Sequence, residues 1–151
     1  MPTLRATTWD DPVVSRLTDA QQQEVRARYD GASEPGVPPS GDDVAVVLVA
    51  VDDDGTPVGC GALRPLGPGA AEVKRMYVVP AARGRGISRL VLSGLEEEAR
   101  RRGWRTLQLE TGPRQPEAIG LYISAGYRPA AAFGSCVGLD DDSLFFARDL
   151  P

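Results

Sequence analysis

A mixed α/β domain is predicted by three features of the chain. "VAVVLVAV", Val44 to Val51, is an unbroken β-branched run; two more apolar segments follow it across short turns; two amphipathic helical patterns then alternate with strands. The length of 151 residues suffices for one core, so a single domain over 1–151 is expected.

The elements follow in order. Asp11 to Asp30 is polar, with apolar residues at Val13, Val14, Leu17, Val25 and Tyr29, and predicts one or two amphipathic helices. "GASEPGVPPSGDD" clusters Gly, Pro and Ser as a loop. Val44–Val51 predicts a strand buried on both faces. "DDDG" turns the chain, and "PVGCGAL" returns as a strand whose glycines imply a close neighbour. "RPLGPGAA" reads as another loop before a third strand, "EVKRMYVV", which Pro80 ends. Three strands on short turns imply an antiparallel meander.

Ser88 to Arg102 is the strongest helix. Ile87, Leu90, Val91, Gly94, Leu95 and Ala99 make one stripe, and Glu96, Glu97 and Glu98 stand four residues ahead of Arg100, Arg101 and Arg102. Gly103 caps it. "RTLQLET" alternates as a strand, "QPEAIGLYISAG" is a second helix bounded by Gly126, and "SLFFARDL" is a last strand.

Composition narrows the chemistry. The formal charge of −4 argues against a nucleic-acid partner. With no histidine, Ser-His and Cys-His catalysis are excluded and zinc chemistry largely so, leaving a carboxylate, tyrosine, lysine or water as base. Two cysteines make no disulfide framework, and neither a membrane span nor an export signal is visible, so a cytoplasmic protein is expected. Cys60 and Cys136 read as small buried apolar residues. The "DDDG" and "LDDDS" runs lack calcium-loop spacing and read as solvated turns; no metal is expected.

The segment with most chemistry is "RGRGISRL", Arg83 to Leu90, placed where a strand gives way to a helix. A helix start has unpaired N–H groups and a partial positive charge. Glycines at 84 and 86 clear the approach, and Arg83, Arg85 and Arg89 add charged donors, so a phosphate or pyrophosphate is the natural guest. The absence of Gly-Lys-Ser/Thr sets aside a P-loop, and Arg89 stands where a dinucleotide fingerprint needs a small residue.

Arg83, Gly86 and Ser88 in this turn resemble the signature of the GCN5-related N-acetyltransferases: Arg or Gln, two residues, Gly, one residue, then Gly or Ala. Ser88 is a small departure at the last position. "AEVKRMYV" and "LETGPRQPEAIGLYISAGY" extend the resemblance to about two-thirds of the chain, from Gly55 onwards. It implies the GNAT fold, a mixed, mostly antiparallel sheet splayed between its fourth and fifth strands and flanked by helices, with acetyl-coenzyme A as acetyl donor. Gly84, Arg85, Ile87 and the rest of the turn would then hold the pyrophosphate. Met76, Tyr77 and Val78 would run along the pantetheine arm, with the Val78 N–H aimed at the thioester oxygen. Gln115 stands where the family often has a coenzyme-contacting Asn.

By the same resemblance Tyr122 is the tyrosine near the coenzyme sulfur, and packing on the "AIGLY" face is its structural alternative. Glu72, four residues before Met76, matches the base of the histone-acetylating branch. A carboxylate near pKa 4.3 taking a proton from an amine near 10.4 faces about 8 kcal/mol, so a relay water, a raised carboxyl or a weaker amine would be needed. A salt bridge from Glu72 to Lys74 or Arg64 is the competing reading. The implied function is transfer of an acetyl group to a primary amine of a small molecule or protein in a direct-attack ternary complex. The alternative is a non-catalytic coenzyme A-binding module. The resemblance allows a homodimer and does not choose the acceptor.

Overall fold

The β-branched run forms a strand at the centre of one half of a seven-stranded sheet. The structure is a computed structural model and describes residues 1–31, 34–139 and 142–151. In chain order the elements are β1 (Thr3–Thr7), α1 (Pro12–Arg28), β2 (Val46–Val51), β3 (Pro57–Gly67), β4 (Ala70–Val78), α2 (Ile87–Arg101), β5 (Thr106–Thr111), α3 (Pro116–Ser124), β6 (Arg128–Pro129) and β7 (Leu144–Asp149). The sheet order is β1-β2-β3-β4-β5-β7-β6. Every neighbouring pair is antiparallel except β4 with β5.

Alternation within β2 explains its burial on both faces. Val46, Leu48 and Ala50 join the larger core with Val91, Leu92 and Leu95 of α2. Val47 and Val49 join a second cluster with Val14 and Leu17 of α1. A helix on each face therefore gives an antiparallel strand the composition usual for a parallel one.

The structure alters some of these expectations and sharpens others. The first strand, β1, has no forerunner in the sequence reading; "TLRAT" carries one large apolar residue, and its five pairs with β2 are a tertiary gift. "RPLGPGAA" is mostly strand rather than loop, because Arg64 pairs with Glu72 and Pro65 with Ala71 before the chain turns. Asp11 to Asp30 resolves into a single helix, with the Asp11 carboxylate accepting from the Val13 N–H at 2.9 Å as its N-cap. Glu96 does not pair along α2. It is buried and accepts from Tyr127 Oη at 2.9 Å and Arg148 at 2.7 Å, while Glu97 and Glu98 hold Arg100 and Arg101 at three-residue spacing. Arg102 does pair with Glu98 at the expected four-residue spacing, at 3.6 Å.

The Gly103 terminus of α2 is as expected, with φ of 81° and the Trp104 N–H reaching Ala99 O at 2.9 Å. In the stripe, Ile87, Val91, Leu95 and Ala99 are buried as expected, but Leu92 takes the place in the core expected of Leu90. The glycines of "PVGCGAL" have their reason too. A Cβ on Gly61 would lie 2.6 Å from Met76 Sδ and 2.9 Å from Leu95 and Val91, so α2 sits directly on β3. Cys60 and Cys136 are buried and unbridged. Part of the "GASEPG" loop (Ala32, Ser33) and of the "LDDDS" run (Asp140, Asp141) lies outside the described residues.

Candidate functional site

β4 and β5 pair over only three rungs, Ala70–Thr106, Ala71–Leu107 and Glu72–Gln108, and then part. A bulge helps to drive them apart. Arg75 has φ of 59°, a left-handed backbone that costs a non-glycine residue on the order of 1–3 kcal/mol, and the β3–β4 register slips there. Beyond it the regular register resumes as Cys60–Tyr77 and Gly59–Val78. The Val79 N–H donates to Val58 O at 2.9 Å. Since antiparallel pairs alternate between bonded and non-bonded rungs, the intervening Val78 rung turns its N–H and C=O away from β3, toward the opening. The Val78 carbonyl accepts from Arg83 Nε at 3.0 Å.

The parting opens a cleft of about 320 Å³. Met76, Tyr77 and Val78 form one wall; Glu110, Thr111 and Tyr122 stand on the β5 and α3 side. At one end lies the glycine-arginine turn. Gly84 and Gly86 have φ of 81° and 79°, and a Cβ on either would meet no atom within 4 Å. The first main-chain bond of α2 runs from the Leu90 N–H to Gly86 O at 3.1 Å. Among the described residues none accepts from the main-chain N–H groups of residues 84 to 89. Gly84, Gly86, Ile87 and Ser88 line the cleft, so several of these donors are presented to it.

The three arginines are differently placed from the expectation. Arg83 faces the cleft but is held by Glu24 at 2.7 and 3.0 Å and lies 5.7 Å from the Tyr77 ring centroid. Arg85 points to Asp52 at 2.9 and 3.0 Å, and Arg89 donates to Ser124 Oγ; neither lines the cleft. The hydrogen bond from Arg83 holds the Glu24 carboxyl below the usual range. The turn thus meets a guest first with amides, and with guanidinium groups only after Glu24, Asp52 and Ser124 release them.

Tyr122 is buried at 5% exposure and lines the cleft, edge-on to Tyr127 with ring centroids 5.8 Å apart. Burial, and then the charge of Glu110, push its phenol well above the ordinary 10. Thr111 Oγ1 beside it is buried without a hydrogen-bond partner among the described residues. Gln115 lines the cleft, with its carbonyl oxygen accepting from the Gly112 N–H at 3.3 Å and from Tyr29 Oη at 3.5 Å. The position of Gln115 is therefore set by Tyr29, the residue that caps α1.

Glu72 is the one expected catalytic group that the structure does not bring to the cleft. Its carboxylate is 2% exposed, 2.8 Å from Arg64 and 3.7 Å from Lys74. The salt-bridge reading describes it. Sequence reasoning missed Glu24, Glu34, Glu110 and Thr111 as cleft residues. Glu110 and Thr111 were within reach, because they end the strand that precedes α3. Glu34 and Glu24 were not, since only the tertiary fold carries them there.

These features meet in a known family: the profile of the acetyltransferase (GNAT) family matches residues 5–127. The chain belongs to that family. A solved structure from Klebsiella pneumoniae, provisionally described as an acyl-CoA N-acyltransferase, is 32% identical, covers 99% of this chain and 98% of its own, and superposes with a TM-score of 0.82. An IAA acetyltransferase of Azospirillum brasilense is 45% identical over 97 residues, 64% of this chain. That match spans 63% of the A. brasilense protein, and a match to a fission-yeast relative spans 54% of that protein. A Bacillus subtilis acetyltransferase solved with CoA shares the fold at 15% identity, covering 100% of both chains, with a TM-score of 0.73. The sheet parted between β4 and β5 is this GNAT member's fold, as the sequence resemblance implied. No described helix of the GNAT chain is long and apolar enough to cross a membrane.

Proposed function

We propose that this protein transfers the acetyl group of acetyl-coenzyme A to an amine bound beside it in the cleft. The carrying observation is the set of unpaired main-chain N–H groups at residues 84–89, opening onto a cleft that runs to the parting of β4 and β5. That arrangement fits a diphosphate at one end and an amide-bearing arm along β4. Acetyl-coenzyme A supplies a thioester whose carbonyl carbon the amine attacks, giving an amide and a free thiol.

The chain's own groups divide the work. Amides of Gly84 to Ser88 hold the diphosphate, and Arg83 joins them when Glu24 releases it. Met76 to Val78 align the arm, and the Val78 N–H faces the carbonyl oxygen on which charge develops. Gln115 donates its amide to the same ligand. Tyr122, with its phenol raised by burial and Glu110, stays protonated and donates a hydrogen bond to the departing sulfur; outright proton transfer to a thiolate of ordinary pKa near 8.5 would run steeply uphill. The proton lost by the attacking nitrogen goes to Glu110, the carboxylate next to Tyr122 on the cleft wall, directly or through one water, and thence to the thiolate. Glu72 holds Arg64 and Lys74 in place and takes no proton.

The test combines calorimetry with acetyl-coenzyme A and a thiol-release screen over primary amines. Tyr122→Phe is expected to lower kcat about 10- to 100-fold with the coenzyme Kd nearly unchanged. Coenzyme binding without release from any amine would replace this reading with a coenzyme A-binding module, and absence of binding would end both.

A further inference from the structure

We infer that the far end of the cleft is a carboxylate site, so that the amine acetylated here bears an acid group on the same molecule; this rests on the transfer reading above. Consecutive strand residues point to opposite faces, yet Lys74 and Arg75 grip one carboxylate. Lys74 Nζ lies 3.1 Å from Glu34 Oε2, and the Arg75 guanidinium straddles both oxygens at 2.5 and 2.8 Å. The left-handed backbone of Arg75 makes this convergence, and such bulges re-aim side chains beside active sites. A planar fork and an ammonium closing on two oxygens is carboxylate-recognition geometry.

Position supports the assignment. Lys74, Arg75 and Glu34 all line the cleft. Lys74 and Arg75 stand three to four residues before Val78, about 10 Å along the strand from it and on the side away from the glycine-arginine turn. The present occupant, Glu34, belongs to the connection between α1 and β2 and to neither element. With Glu34 seated, Asp43, Arg64, Glu72, Lys74, Glu34 and Arg75 form a chain of contacts with three acids and three bases. Withdrawing Glu34 leaves one surplus positive charge facing the cleft. Glu34 is thus a seat-holder for a carboxylate of the acceptor.

The experiment compares amines that differ only in acid against carboxamide, such as alanine with alaninamide and 4-aminobutyrate with its amide. The acid should be favoured at least tenfold in kcat/KM. Arg75→Gln, and Arg75→Lys, which keeps the charge and loses the fork, should pull that ratio toward one. Glu34→Gln should lower KM for the acid severalfold, and its lowered Tm should be restored by added butyrate. A ratio near one in the unaltered protein, or a ratio that survives Arg75→Gln, overturns the inference. Calorimetric titration of butyrate into the protein–coenzyme A complex separates the two readings. Binding that depends on Arg75 without any amine turnover upholds the carboxylate site and defeats transfer, whereas turnover of amines with no butyrate binding does the reverse.

Discussion

Gly86 combines an unobstructed Cβ position with a φ of 79°, so alanine there hits nothing and still strains the backbone. The expected cost is about 1–2 kcal/mol. Relief of that strain would turn the amides of residues 86 to 88, so Gly86→Ala should weaken coenzyme A binding tenfold or more while Tm falls by only a few degrees, read by calorimetry and thermal melting. An unchanged Kd would mean the amides are not the anchor. The two glycines were legible from spacing alone, because few things other than a left-handed turn at a helix start require them. The roles of the arginines were not. Glu24 and Asp52 lie 59 and 33 residues away from the guanidinium groups they hold, and no local pattern announces such partners. Glu72 shows the same limit, since its four-residue spacing from Met76 is compatible with either a base or an ion pair, and only burial between Arg64 and Lys74 separates them.

Gly61 tests how α2 is seated. A valine there would drive into Met76, Val91 and Leu95, all part of or packed on the main core. Overpacking of this kind typically costs 1–3 kcal/mol, so Gly61→Val should lower the urea midpoint and, by displacing Met76, also weaken coenzyme binding. A stable variant with full binding would show that the helix rides clear of the strand. Elements with strong internal pattern were readable: the β2 run, the α2 stripe and the alternation of β5 follow directly from apolar period. β1 was unreadable because its strand character comes from pairing with β2, not from "TLRAT" itself. The "RPLGPGAA" hairpin was misread because proline and glycine there signal the turn at Gly67–Gly69 while the flanking residues stay paired, with one register shift between Pro65 and Gly67.

Acid should find the cleft before it finds the core. Burial opposes ionisation of Glu34, but the hydrogen bond from Arg75 and the charges of Lys74 and Arg75 prevail, bringing its pKa from 4.5 to about 2. A carboxylate depressed on folding lends stability that is fully present above its unfolded value and disappears as pH drops through the folded one. Urea midpoints should therefore decline between pH 4.5 and 2, and Glu34→Gln, although less stable at neutral pH, should show a shallower decline over that window. Equal slopes would remove Glu34 from the account. The sheet's order has a separate consequence for biosynthesis. β5 touches β4 at three rungs but β7 at six, and β7 spans residues 144–149. One bank of the cleft therefore stays unsupported until β7 itself is synthesised, and a nascent chain stalled before Leu144 would leave Leu107 and Leu109 without Phe146 to cover them.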